Sequence, residues 1–192
     1  FISNVEIVSI NNKLQAYDNV DMIYIVEKRE DEFFISLNER GVILEYCKIR
    51  NKELAHLYFA IFVKRGVTDF EFPLMTLIND IEDIEILKEY LTREQLDNFY
   101  SVDSRTKGKI NFSSELNKIY YIDASDNEYN LFSLPNRIFQ TFYASIVKLK
   151  TMKEWLIQLN DSNGLGDQYE ATLLGYSSEG LSRSALFVTK EK

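Results

Sequence analysis

The chain has 192 residues, 45% of them hydrophobic and 27% charged, with a formal net charge of −8. That is enough apolar material for the core of one domain, or of two closely packed small ones, it argues against disorder, and the negative balance disfavours direct binding to nucleic-acid phosphates. A single cysteine, Cys47, excludes an internal disulfide, and no apolar run approaches the roughly 18–20 residues that cross a bilayer.

The first thirteen residues, FISNVEIVSINNK, lack the basic and apolar regions of a signal peptide, so a cytoplasmic protein is expected. The start at Phe1 without a methionine reads as a processed product or a piece of something longer. The first fifty residues read as strands: Val5–Ile10, then Met22–Glu27 and Glu32–Leu37 across the charged tip Lys28–Asp31, then Val42–Ile49 after Gly41. At Lys52 the period changes. Leu54, Leu57, Tyr58, Ile61 and Phe62 recur at helical spacing to Val63, with Gly66 as the expected stop.

Pro73 suits a first helical turn, after which Leu74, Leu77, Ile78, Ile81, Ile84, Leu87 and Leu91 form a single apolar stripe of one helix. Thr92–Gln95 (TREQ) has the form of a capping box and predicts a short helix through Phe99. Ser101–Lys109 reads as a loop, and Ile119–Ile122 and Tyr129–Leu134 as strands about the turn Ala124–Asn127. A long amphipathic helix is expected from Asn136 to Leu159, ended by Gly164 and Gly166. A last hairpin follows, with strands Ala171–Tyr176 and Ala185–Thr189 about Ser177–Gly180.

The predicted architecture is one α+β domain over residues 1–192, a mainly antiparallel sheet with helices packed on one face. It has possible halves at 1–103 and 104–192. Ile23–Glu27 resembles Ile119–Asp123, and Tyr58–Lys64 resembles Phe142–Lys148. Either a duplicated ββα unit or chance likeness between apolar segments accounts for this.

No catalytic arrangement emerges. His56, the only histidine, lies on a predicted helix between Leu54 and Leu57, and reads as structural or exposed. Cys47 reads as a small side chain in an apolar strand. Gly175–Glu179 (GYSSE) ends in Glu where a nucleophile elbow needs Gly. Asp161–Asp167 has oxygen-bearing residues at its first, third and seventh places, but Leu165 and Thr172 fall where a calcium loop needs carboxylates. Gly164-Leu-Gly166 lacks the strand and third glycine of a nucleotide cradle, and Arg105–Lys109 is too short a basic stretch to reverse the overall charge. No metal and no cofactor is expected.

What stands out is the placement of charge. Residues 69–103 hold ten acids and two bases, while the remaining 157 residues hold twenty of each. Such a segment draws in cations or basic macromolecules. Asp80, Glu82, Asp83, Glu85 and Glu89 are the candidate partner-binding residues, with Glu82, Glu85 and Glu89 on one helical face. Phe70, Phe72, Phe99 and Tyr100 are the flanking candidate anchors. The expected function is a non-enzymatic inhibitor of a basic, toxin-like protein, in the manner of a bacterial immunity protein. The alternatives are a metal-dependent enzyme using these carboxylates, or a structural or adaptor subunit.

Overall fold

A computed structural model describes residues 2, 5–18, 22–162 and 164–176. The chain divides into two compact units, one of Phe1–Asp69 with Gln158–Leu165 and one of Phe70–Ile157 with Gly166–Lys192. Among the described residues the composition is α+β, with a five-stranded sheet in the first unit and a four-stranded sheet in the second. No helix among the described residues is long and apolar enough to cross a membrane.

The first unit is an antiparallel meander of β1 (Glu6–Ile10), β2 (Lys13–Tyr17), β3 (Met22–Arg29), β4 (Glu32–Glu39) and β5 (Val42–Ile49), paired in chain order. Two-residue turns join β1 to β2, β3 to β4 and β4 to β5. Arg40 and Gly41 both take positive φ, 50° and 87°, as a two-residue hairpin turn between twisted strands requires. Lys28 and Arg29, read from sequence as part of a loop, belong to β3, and only Glu30 and Asp31 turn.

Alternation puts Ala16, Tyr24, Val26, Phe33, Ile35, Leu37 and Ile49 inward, and there α1 (Lys52–Val67) packs against β3, β4 and β5. The Asn51 side chain caps α1 by accepting from the Leu54 N–H at 2.9 Å. Gly66 does not stop this helix. It lies inside the last turn, where a Cβ would overlap the Tyr24 hydroxyl and stand 2.5 Å from Tyr24 Cζ. Its role is close approach to β3.

In the second unit, Pro73 leads into a single turn, α2 (Met75–Ile78), followed after a break by α3 (Ile84–Arg93). The apolar stripe expected to make one helix spans two, because the Asp83 carboxylate accepts from the Glu85 N–H at 2.8 Å and starts a new helix there. The expected capping box is also displaced. Thr92 belongs to the last turn of α3, which ends with Gln95 at φ 57° and with Leu96 N–H donating to the Leu91 carbonyl, a Schellman arrangement. A short 3-10 turn, Asp97–Phe99, follows.

The second sheet runs β6 (Tyr100–Val102), β7 (Ile110–Ser113), β8 (Lys118–Ile122) and β9 (Glu128–Leu131). β6 and β7 are parallel and the other pairs antiparallel. Only seven residues connect the parallel pair, 103–109, far fewer than a helical crossover needs. The fully buried Asn111 makes this possible: it accepts from Thr106 N–H at 2.8 Å and donates to the Thr106 and Lys109 carbonyls at 3.0 and 2.9 Å.

Pro135 opens a 3-10 turn that runs into α4 (Ile138–Gln158). The rings of Phe139 and Phe142 meet Phe112 on β7 at 5.7 and 5.6 Å. Residues Ala171–Tyr176, expected as a strand, are mostly helical: α5 covers Leu165–Leu174, and Gly175, at φ 87°, terminates it. Ser177–Gly180 and Ala185–Thr189, the rest of the expected hairpin, lie outside the described residues. A duplicated unit is not confirmed, since β3 sits in a five-stranded antiparallel meander whereas β8 sits in a four-stranded sheet containing a parallel pair.

Candidate functional site

The acidic residues from Glu71 to Asp103 lie in the second unit and concentrate on α3 and on the stretch between α2 and α3, while α2 itself carries none. Asp80, Glu82, Asp83, Glu85, Glu89 and Glu94 are all exposed. Glu85 and Glu89 share a face of α3, one turn apart, whereas Asp80 and Glu82 precede the helix and so leave the face that the sequence assigned to Glu82. Asp83 is committed to its cap.

Two bases moderate the cluster, and both come from α3 itself. Lys88 Nζ lies 2.8 Å from Glu85, and Arg93 Nη2 lies 3.9 Å from Glu89. The hydrogen bond to Glu85 raises the Lys88 pKa. Asp80, Glu82 and Glu94 form no ion pair among the described residues. Asp97 accepts from the Thr92 hydroxyl at 2.7 Å and Asp103 from the Ser114 N–H at 2.7 Å. The latter bond holds the Asp103 carboxyl below its ordinary pKa. Lys109, from outside this segment, donates at 3.1 Å to the Asp97 backbone carbonyl rather than to a carboxylate.

The four aromatic candidates are turned largely into the second unit. Phe70 is half-buried, stacked on Phe72 with centroids 6.4 Å apart and tilted against Trp155 at 6.0 Å. Phe72 meets Tyr143 edge-on at 6.4 Å, and the Tyr143 hydroxyl accepts from the Leu74 N–H. Tyr100 is buried against Phe142 at 5.9 Å, and Phe99 is half-buried. The large apolar side chains that reach solvent in this segment are Leu77, 52% exposed, and Ile86, 48% exposed.

The remaining sequence candidates take structural positions. His56 is exposed on α1 with its ring edge-on to Phe33 at 5.9 Å, and partial burial followed by the charge of Lys52 lowers its pKa. Asp161 accepts from the Leu165 N–H at 3.0 Å at the start of α5. Among the described residues no three His, Cys, Asp or Glu side chains gather to hold a metal ion. The basic stretch is spoken for: Arg105 pairs with Asp126, and Lys107 lies 3.6 Å from the same carboxylate.

Burial pushes the Cys47 thiol up to about 12, against a lowering hydrogen bond with Tyr58. The native protein is therefore expected to react with a disulfide reagent at pH 8 at least tenfold more slowly than the urea-unfolded chain, since the thiolate fraction falls by on the order of a thousandfold and the greater nucleophilicity of a more basic thiolate offsets only part of that. Stopped-flow absorbance checks this, and equal rates would place the thiol at the surface.

One polar cluster has no motif in the sequence to mark it. Glu170 on α5, 7% exposed, accepts a hydrogen bond from the Tyr121 hydroxyl of β8 and lies 3.8 Å from Lys153 Nζ of α4. Lys153 also donates to the Gly108 carbonyl at 2.9 Å. A carboxylate inside the run Tyr169–Leu174 was the available signal. This cluster is enclosed by its own partners and ties three elements together.

The chain matches no family model, no curated protein and no solved structure.

Proposed function

We propose that this chain is a non-enzymatic binding protein whose acidic surface, on α3 and the stretch before it, neutralises a basic protein partner. Its most concrete form is a cytoplasmic immunity protein that covers a toxin such as a nuclease. The supporting observation is the exposure of Asp80, Glu82, Asp83, Glu85, Glu89 and Glu94, whose ion pairs among the described residues are only those to Lys88 and Arg93 of α3. Ion pairs this exposed contribute little to stability, so both bases are free to yield to a partner's cations. Negative potential over one face speeds encounter with a basic protein and stands in for the phosphates that a nuclease binds.

The combined substitution Asp80→Asn, Glu82→Gln, Glu85→Gln and Glu89→Gln leaves the Asp83 cap intact and touches no buried side chain. Its affinity for a panel of basic nucleases is expected to fall by roughly tenfold or more at 50 mM salt, with a shallower salt dependence than the parent. Calorimetric titration at three salt concentrations reads both quantities. If the parent binds none of the panel at the lowest salt, the reading fails.

A further inference from the structure

Resting on that reading, we infer that the outward arc of α3 is a seat for the arginine or lysine row of an amphipathic basic helix. The helical period places two stripes side by side on this arc, Glu85 with Glu89 and Ile86 with Tyr90, each pair one turn apart, while Leu87 and Leu91 face the interior. The first stripe is acidic and the second apolar.

Arg93 supplies the independent observation. Its guanidinium lies 5.4 Å from the Tyr90 ring centroid and 3.9 Å from the Glu89 carboxylate, so one cation already bridges the two stripes. A carboxylate beside an aromatic face is a favourable pair of contacts for a guanidinium. The side chain of Arg93 is nonetheless 70% exposed, so the protein's own cation holds the position loosely and a partner's arginine can take it. Ile86 is nearly half exposed alongside. A partner helix with a basic row next to an apolar row meets both stripes at once, whereas a disordered basic segment meets only the charge.

Two peptides of equal length and composition, built of leucine and arginine, test this: one ordered to be amphipathic as a helix, the other scrambled. At 150 mM salt the protein is expected to bind the ordered peptide about fivefold more tightly, a difference of about 1 kcal/mol. Ile86→Ser should abolish that preference while leaving binding of the scrambled peptide unchanged. Arg93→Gln should tighten binding of the ordered peptide roughly threefold beyond the effect of Lys150→Gln, which removes the same charge from α4. Equal affinity for the two peptides, or equal effects of the two glutamine substitutions, overturns the seat and leaves the acidic face standing. No binding of either peptide at 20 mM salt overturns both.

Discussion

Replacing Gly66 with alanine is expected to lower the unfolding free energy by about 2 kcal/mol, although helix propensity alone points the other way. Alanine inside a helix is favoured over glycine by about 1 kcal/mol, and Gly66 is inside α1. The added Cβ, however, would overlap the Tyr24 hydroxyl and approach Tyr24 Cζ at 2.5 Å and Cε1 at 2.8 Å. Tyr24 is 1% exposed and its ring is edge-on to Phe62 at 5.4 Å, so it has nowhere to retreat. Overpacking of this kind costs about 3 kcal/mol at the upper end of its range, which outweighs the propensity gain. Thermal unfolding should fall by about 6 °C for a chain of this size. Tyr24→Phe removes the hydroxyl but leaves Cζ in place, so the double variant should recover only part of the loss. A coupling energy near 1 kcal/mol is expected from the cycle. A Gly66→Ala variant as stable as the parent would show that α1 can shift away from β3.

The elements that could be read from sequence are those whose signal is local. The β3–β4 hairpin announces itself by two β-branched and aromatic runs about a charged turn. In α1 and α4 a helical apolar period persists over 16 and 21 residues. β2 escaped notice because it has only Leu14 and Ala16 to place inward, and it is a strand because β1 and β3 pair with it on both sides. The break between α2 and α3 is hidden for a different reason. The apolar stripe continues across it, and a single carboxylate, Asp83, decides where the second helix starts.

α5 shows tertiary context overriding propensity. Ala171–Tyr176 is locally strand-like, but the buried ends of the helix and Gly175 in the left-handed region close it in a Schellman arrangement, with Tyr176 N–H donating to the Ala171 carbonyl. At the candidate site the charge was legible because it is a count along the chain. The aromatic packing was not, because Phe70 and Phe72 find their partners, Trp155 and Tyr143, on α4 more than seventy residues away. The apolar contribution to the surface therefore passes from the expected rings to Leu77 and Ile86.

The largest loss is expected from Glu170→Ala, about 3 kcal/mol, in the range for breaking a buried charged contact. The substitution leaves the Tyr121 hydroxyl without its acceptor in a position 1% exposed, and removes one of the two partners of Lys153. Glu170→Gln keeps a carbonyl oxygen to accept from Tyr121 and should retain more than half of that stability, so urea midpoints are expected in the order parent, Gln, Ala, with an unchanged slope. Equal midpoints for Gln and Ala would assign the effect to the charge on Lys153 rather than to the tyrosine.

Alkaline pH probes the same contact from its other side. Burial first, and the Glu170 charge second, raise the Tyr121 pKa far above the ordinary tyrosine value, and burial likewise raises that of Tyr24. Tyr129 and Cys47 are each pushed up to about 12. Groups whose pKa is raised by folding contribute stability that is complete below their unfolded values, about 8.5 for cysteine and about 10 for tyrosine. It drains away as pH climbs above them. The urea midpoint should therefore be flat, as far as these groups are concerned, from pH 7 to about 8.5 and fall increasingly above about 9.5. In Glu170→Gln the midpoint should fall in parallel with the parent while the pH stays below the folded-state pKa of Tyr121, but that pKa is lower without the carboxylate, so tyrosinate absorbance of the folded variant should appear at lower pH than in the parent. Tyrosinate absorbance that appears at the same pH in both folded proteins would mean that Tyr121 does not feel the Glu170 carboxylate.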